Sequence, residues 1–263
     1  MNINPTNQSL SVTNSSSSPA AKISSGKQIN SAADGPATLQ IIAQYNSHIR
    51  GNSAAYSNVI SATSALQIAA GGLSNINDSL QQLRELGIQA ANGVLNSSDR
   101  NAIQKQADEL LAGIQSSLDS SQFNSRSLLN SDTAIAIQSG ANQGQTETIP
   151  SFNLAADFSG VGLFDIDFSS GNISDTLASI DSALDVNDTA SSAIGIAENG
   201  LERAAKNLIS STVSQASSRS QIEDTDFAAV VSELKQQQLK EQLELVMLSQ
   251  ANANRSQVLQ LLK

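Results

Sequence analysis

Two long segments of this 263-residue chain, about 36–91 and 175–263, carry apolar residues spaced three and four apart over many turns. Such spacing is typical of amphipathic helices that pack along a narrow seam. At ~1.5 Å per residue the first helix would be roughly 80 Å long, which is too long for an ordinary globular helix. The sequence therefore predicts a mainly α fold in which long antiparallel helices form a coiled-coil-like bundle.

The candidate seam of this bundle consists of aliphatic residues on one face of each helix. Its members are Leu66, Leu73, Ile76, Leu80, Leu83, Ile194, Leu201 and Leu208. Gln215 and Ser218 continue the pattern in the second segment, so this helix is not a simple dimeric zipper. After an acidic break at residues 223–226, a second stripe contains Val230, Leu234, Leu239, Leu243, Val246, Val258, Leu261 and Leu262.

Turn and capping residues predict where the helices of the first half begin and end. Pro36 at a first helical position starts the first helix, and Asn92-Gly93 ends it as a left-handed cap. Ser97 or Ser98 caps the next helix. This second helix ends in a polar stretch at residues 120–124, so the first half alone predicts two antiparallel helices.

The middle of the chain switches to a period of two. Residues 133–138 alternate polar and apolar side chains, a glycine-bounded turn follows at 140–144, and residues 146–149 form a return strand. Gly160 and Gly162 indicate further loops, so a small β-hairpin region is expected near residues 133–168. The polar residues 1–26 are expected to be disordered or weakly helical.

Composition limits the kinds of partner and core. Hydrophobic residues make up 39% of the chain and aromatic residues 3%, which favours thin helix–helix seams over a wide interior. The net charge of −10 argues against nucleic acid as a main partner. No stretch approaches the ~20 apolar residues of a membrane span, and residues 1–18 lack the basic and apolar regions of a Sec-type signal.

The residues needed for catalysis are scarce. The chain has no cysteine and a single histidine, His48, inside the first long helix, so thiol chemistry and a serine–histidine triad are not expected. Gly140 and Gly144 are not followed by the lysine and the serine or threonine of a phosphate-binding loop. The acidic residues 223–226 form a solvated helix junction more readily than a cation site. We therefore expect no enzyme activity, cofactor or metal.

Several ordered strings resemble signatures of bacterial flagellin. They are the Ser-Ser-Gly segment at 23–32, the Arg-Glu-Leu helix end at 80–93, the Gln-Phe-Asn turn at 121–124, the hairpin turn at 138–144, and the Ile-Glu-Asp block at 216–227. The resemblance implies a structural subunit of the bacterial flagellar filament that is exported unfolded through the type III apparatus and self-assembles outside the cell for motility.

The resemblance also implies a domain organisation. Residues 1–35 and 223–263 match the inner, D0-like segments, and residues 36–222 match the D1-like bundle. The short middle implies that large outer domains are missing. The family usually carries an apolar N-terminal stripe, whereas residues 1–21 are almost purely polar here, so we expect a looser or partly absent inner N-terminal helix.

The resemblance further suggests partners. These are other copies of the chain or other flagellins, an export chaperone at the C-terminal helix, and filament cap and hook-associated proteins. The family's Toll-like receptor epitope maps to Gln82, Leu86 and Gln106, and two of these positions lack the usual charge. Loss of two charge-assisted hydrogen bonds predicts weak receptor activation.

Three alternative functions remain open on the sequence. A hook–filament junction protein resembles flagellin at its ends. A secreted flagellin-like protein that does not polymerise would account for the polar N-terminus. A helical bundle of unrelated role is the least specific reading, and the ordered strings argue against it.

Overall fold

A computed structural model describes residues 19–169 and 172–261, with the backbone alone for residues 251, 252 and 254–261. Its helices are α1 (Pro19–Ser25), α2 (Pro36–Ala90), α3 (Ser97–Ser120), α4 (Leu154–Gly160), α5 (Ile173–Glu223) and α6 (Phe227–Leu261). Its strands are β1 (Gln122–Phe123), β2 (Arg126–Ser127), β3 (Ile135–Gln138) and β4 (Thr146–Ile149). The predicted mainly α fold with a small mid-chain β region is confirmed.

The described chain forms two compact units. The terminal unit contains the described residues up to Ile49 and those from Val213 onward, and the central unit runs from Arg50 to Thr212. In the central unit α2 and α5 are antiparallel, because an early residue of α2 contacts a late residue of α5 and a late residue of α2 contacts an early one of α5. Asn52 Nδ2 donates to Ser211 Oγ at 3.2 Å, and Arg84 Nε pairs with Asp181 Oδ1 at 2.7 Å.

The core of the central unit lies along the seam between its long helices. The seam residues Ile76, Leu80 and Leu83 of α2 have no exposed surface. Small residues such as Ala62 and Ala69 are also buried, and they let the helices approach closely. The middle of the chain adds aromatic and aliphatic side chains to the same core, namely Ile149, Leu154, Phe158, Leu163 and Phe168.

One polar side chain interrupts this apolar core. Asn187 of α5 is 1% exposed, and its Nδ2 donates to the Leu73 carbonyl at 3.4 Å. Its Oδ1 is buried without a hydrogen-bond partner. A buried acceptor that lost its water and gained no partner costs roughly 1–3 kcal/mol. Asn187 therefore lowers the stability of the seam, because it occupies a heptad position that suits a hydrophobic residue.

The β region consists of two hairpins, of which the sequence predicted one. Strands β3 and β4 pair antiparallel with Gln138 opposite Thr146, as expected. The missed hairpin, β1–β2, turns at Asn124 and Ser125, whose φ angles are 49° and 62°. Two consecutive residues with positive φ are typical of a type I′ turn, for which Asn-Gly rather than Asn-Ser is the strong sequence signal.

Two predicted helix caps are wrong. Gly93 does not adopt positive φ, so Asn92-Gly93 is not a left-handed cap. The cap of α3 is Asn96, whose side chain accepts from the Ser98 and Asp99 N–H groups and forms a capping box with Asp99. The cap lies one or two residues before the predicted serines, because Asn96 places Asp99 at the third helical position, where its side chain completes the box.

One short helix replaces a predicted loop, and another lies in the segment expected to be disordered or weakly helical. Residues 154–160, expected to be part of the hairpin loops, form α4, because Leu154 and Phe158 lie four apart and both enter the core. Pro19–Ser25 of the segment expected to be disordered or weakly helical forms α1, while residues 1–18 lie outside the described residues.

Helix α2 is long and apolar enough to cross a membrane by length and composition, contrary to the expectation from sequence. An 18-residue window has a mean hydropathy of 1.2, and 44% of that window is buried inside the fold. Buried core helices have the same length and apolar composition. The apolar face of α2 lies in the core of the central unit.

The substitution Asn187→Val is expected to stabilise the protein. It removes the unpartnered Oδ1 from the core and should raise the free energy of unfolding by about 1 kcal/mol or more, measured by urea denaturation. Leu80→Ala, at a fully buried seam position, is the opposing control and should lower it by ~2–5 kcal/mol. A lower free energy of unfolding in Asn187→Val would show that the Asn187 amide contributes net stability.

Candidate functional site

A small polar network joins the segment after α1 to the break between α5 and α6. We term it the junction clasp, and it consists of residues 26–28, Arg219 and residues 223–225. The Gln28 N–H donates to the Glu223 carbonyl at 2.6 Å, and the Thr225 N–H donates to the Gly26 carbonyl at 3.1 Å. The two short segments therefore run antiparallel. Gly26 has a φ of 70°, a left-handed conformation that glycine adopts without strain.

A buried carboxylate strengthens the junction clasp. The Glu223 side chain is 8% exposed and pairs with Lys27 Nζ at 2.5 Å and with Arg219 Nε at 3.4 Å. Arg219 Nη1 also donates to Asn46 Oδ1 at 2.8 Å. Removal of either cation would leave a buried charge under-compensated, so both ion pairs stabilise the contact between the segment after α1 and the chain just before α6.

Helix α6 begins at a well-formed cap and is covered only at its start. The Asp226 side chain accepts from the Ala228 and Ala229 N–H groups at 3.0 and 3.2 Å. Helix α1 contacts α6, and Val230 is only 5% exposed. Leu234, one turn further on, is half-buried. The beginning of the predicted second stripe is therefore internal to this unit.

The middle of the second stripe is uncovered. Leu239, Leu243 and Val246 are 59%, 61% and 63% exposed. The backbone of α6 continues through Val258 and Leu261, whose side chains are not described, and Leu262 lies outside the described residues. A row of large aliphatic side chains one helical turn apart thus faces solvent in the isolated chain.

The uncovered surface is broader than the stripe predicted from sequence. Leu245, Met247 and Leu248 are also exposed, at 67%, 72% and 52%. These residues and the stripe point in different directions around the helix, so the segment Leu243–Leu248 is apolar on more than one face. A helix that is apolar all round is normally buried on all sides. We call the exposed apolar residues of α6 from Leu239 to Leu248 the bare α6 surface.

The candidate seam residues have a different environment. Leu66, Leu73, Ile194, Leu201 and Leu208 are at most 6% exposed, and they belong to the same hydrophobic core as Ile76, Leu80 and Leu83. Because their surface is already buried within one subunit, they stabilise the fold and leave no area for another molecule. Heptad spacing alone did not distinguish this internal seam from the bare α6 surface.

The structure brings the three candidate epitope residues together. Gln82 and Leu86 of α2 and Gln106 of α3 line one open groove of about 560 Å³, together with Glu85, Gln89, Glu109 and Leu110. Gln82 and Gln106 are exposed and Leu86 is half-buried. The groove lies between two antiparallel helices of the central unit, with an apolar floor and an uncharged or acidic rim.

The acidic residues at the α5–α6 break are engaged in local contacts. Glu223 forms the ion pairs of the junction clasp, Asp224 accepts from the Ser220 hydroxyl, and Asp226 caps α6. Within residues 19–169 and 172–261, no group of three His, Cys, Asp or Glu side chains is placed to hold a metal ion. His48 is half-buried within α2.

Comparison with known proteins gives the same family at both ends of the chain. The model of the bacterial flagellin N-terminal helical region matches residues 1–134, and that of the C-terminal helical region matches residues 177–262. A flagellin of Halalkalibacterium halodurans is 32% identical over 246 residues, which cover 92% of this chain and 90% of that protein.

Enterobacterial relatives match over a smaller share of their length. A flagellin of Shigella flexneri is 37% identical over 163 residues, or 62% of this chain and 30% of that protein. The phase 1 flagellin of Salmonella naestved is 38% identical over 148 residues, or 56% of this chain and 28% of that protein. The chain thus spans less than a third of the length of these two relatives.

Solved structures show the same fold. A Bacillus cereus flagellin superposes with a TM-score of 0.53 at 23% identity, covering 58% of this chain and 88% of that structure. A putative flagellar hook-associated protein from Vibrio parahaemolyticus superposes with a TM-score of 0.60 at 14% identity, covering 73% of this chain and all of that structure. With both terminal helical regions matched and one relative aligned over nearly its whole length, the chain belongs to the bacterial flagellin family of non-enzymatic structural proteins.

Proposed function

We propose that this chain is a structural subunit of the flagellar filament and that the bare α6 surface is buried against other copies when the filament forms. Members of the family polymerise into extracellular filaments. The observation that supports the proposal is the exposure of Leu239, Leu243 and Val246, together with Leu245, Met247 and Leu248, on one well-formed helix. Exposed apolar surface of this extent is characteristic of an interaction site.

Burial of this surface supplies the driving force for assembly. Covering one leucine or valine side chain contributes roughly 1.5–3 kcal/mol relative to leaving it in water. The contact is expected to be heterologous, with α6 of one subunit meeting different surfaces of its neighbours, because such contacts generate open helical arrays rather than closed rings. Helical symmetry then repeats the same burial at every subunit.

We assign the domain roles on this basis. Residues 1–35 and 223–263 are the inner, D0-like segments, and residues 36–222 are the D1-like bundle with its hairpins. The junction clasp supports a boundary just before α6, since it joins residues 26–28 to the break that precedes this helix. The compact units of the structure divide the chain elsewhere, at 49/50 and 212/213. The central unit buries its own seam, whereas α6 leaves aliphatic side chains exposed that another copy would cover.

A charge in the bare α6 surface should weaken polymerisation. Leu243→Glu places a carboxylate where a neighbouring subunit would bury an aliphatic side chain, and it should raise the critical concentration roughly ten- to hundredfold. The readout is seeded polymerisation of purified protein, followed by light scattering and electron microscopy.

Gln236→Glu is the matched control, because it adds the same charge to an exposed polar position of the same helix. It should polymerise like the parent, and circular dichroism should show unchanged helix content in both variants. Normal polymerisation of Leu243→Glu would exclude the bare α6 surface as the assembly site. Failure of the unaltered chain to form long filaments with seeds would instead favour the junction protein or the non-polymerising secreted protein.

The bare α6 surface also supports the binding of other flagellar proteins before and after export. An export chaperone at the C-terminal helix would cover the aliphatic side chains of α6 inside the cell and keep the subunit unassembled. Filament cap and hook-associated proteins would meet the chain at the two ends of the filament. Export as an unfolded chain through the type III apparatus precedes assembly in this proposal.

The polar N-terminal segment predicts an incomplete inner shell. Ser, Asn and Thr in residues 1–21 replace the aliphatic residues expected there, and each such position forfeits ~1.5–3 kcal/mol of burial. Cryo-electron microscopy of the filament should therefore show strong density for α6 and weak density N-terminal to α1. A well-ordered inner N-terminal helix along its full length would contradict this prediction.

The groove between α2 and α3 predicts weak activation of Toll-like receptors. Its rim presents neutral Gln82 and Gln106, so it offers no charge-assisted hydrogen bond at either position. The double variant Gln82→Arg with Gln106→Glu should signal more strongly than the parent in a receptor reporter assay. Gln81→Arg, which adds a cation outside the groove, is the control. Full signalling by the parent would refute the prediction.

A further inference from the structure

We propose that Asn92, in the turn between α2 and α3, is a site of spontaneous deamidation through a cyclic succinimide. Asn92 is exposed and is followed by Gly93, which carries no side chain to obstruct the approach of its own nitrogen to the Asn92 amide carbon. The proposal concerns the isolated chain and does not depend on polymerisation.

The local geometry favours the first step. The Val94 N–H donates to Asn92 Oδ1 at 3.2 Å, which closes a ring that contains both Cγ of Asn92 and the nitrogen of Gly93. The same hydrogen bond polarises the side-chain carbonyl and stabilises the negative charge that develops on Oδ1 during attack. Among the hydrogen bonds of the described residues, none uses the Gly93 N–H, so its nitrogen is not held by another acceptor.

The chemistry needs only water and hydroxide. Hydroxide removes the proton from the Gly93 nitrogen, which attacks Cγ of Asn92 and forms a tetrahedral intermediate. The side-chain nitrogen leaves as ammonia, and a five-membered succinimide closes. Water then breaks one of the two ring C–N bonds and gives either aspartate or isoaspartate, so the net change is the addition of one water and the loss of one ammonia.

Glycine at position 93 serves no visible structural purpose. Its φ is not in the left-handed region, and a Cβ added there would meet nothing within 4 Å. The turn would therefore accept alanine without rearrangement. This makes Gly93→Ala a clean test variant, since its Cβ slows the attack by the backbone nitrogen while the fold is kept.

The chain contains an internal control. The second Asn-Gly pair, Asn199-Gly200, lies inside α5, where the Gly200 N–H belongs to the helical hydrogen-bond ladder. The Asn199 Nδ2 donates to the Gly195 carbonyl at 2.9 Å. The helical backbone prevents the Gly200 nitrogen from reaching the Asn199 side chain, so the same dipeptide should be inert there.

Deamidation would change the turn in two ways. Either product places a carboxylate just beyond the C-terminal end of α2, where the helix dipole disfavours negative charge. Isoaspartate also inserts one extra carbon into the main chain, which disrupts the turn bond from the Leu95 N–H to the Asn92 carbonyl, now 3.1 Å long. The modified chain should therefore fray at the α2–α3 turn.

The test is a time course of the full-length protein at neutral and mildly alkaline pH in water enriched in heavy oxygen. Peptide mapping by mass spectrometry should show deamidation and label at Asn92 at least about tenfold faster than at Asn199, which equals ~1.4 kcal/mol at the barrier. The Asn92 rate should rise with pH and should fall about tenfold in Gly93→Ala. Equal rates at the two asparagines, or an unchanged rate in Gly93→Ala, would overturn the proposal.

Discussion

The structure of the central unit depends on burial of the aliphatic seam between α2 and α5. Side chains such as Leu80 and Leu83 have no exposed surface, and small residues between them let the helices lie close together. The hairpins and α4 close onto the same core. Gly72 permits close approach of the residues that flank the β1–β2 hairpin, because an added Cβ would collide with the Ser121 side chain and lie 2.9 Å from Leu129 Cδ1. Each peripheral feature is thus positioned by the seam.

The terminal unit is organised by polar contacts instead. The buried Glu223 carboxylate, paired with Lys27, connects the segment after α1 to the start of α6. The helix that follows carries more apolar surface than its own unit covers. A subunit with one self-sufficient core and one unsatisfied helix is suited to polymerisation, because it stays folded alone but loses exposed apolar area on assembly.

Much of the fold was predictable because its signals are local. Heptad spacing predicted α2 and α5, and the alternation at residues 133–138 predicted the β3–β4 hairpin. The failures occurred where a short local signal competes with packing. Leu154 and Phe158 form α4 because both enter the core, and Asn96 rather than a neighbouring serine caps α3 because Asp99 completes the capping box.

The candidate sites also divide into features that local sequence predicts and features that packing decides. Sequence alone determined the family, the helical stripes and the residue types at the epitope positions, since these follow from periodicity and ordered motifs along the chain. Long-range packing decided which stripe is available: the Leu66–Leu208 set is buried within one subunit, whereas Leu243 and Leu245–Leu248 remain exposed. Spacing reports which residues share a face, but burial depends on what the rest of the chain places against that face.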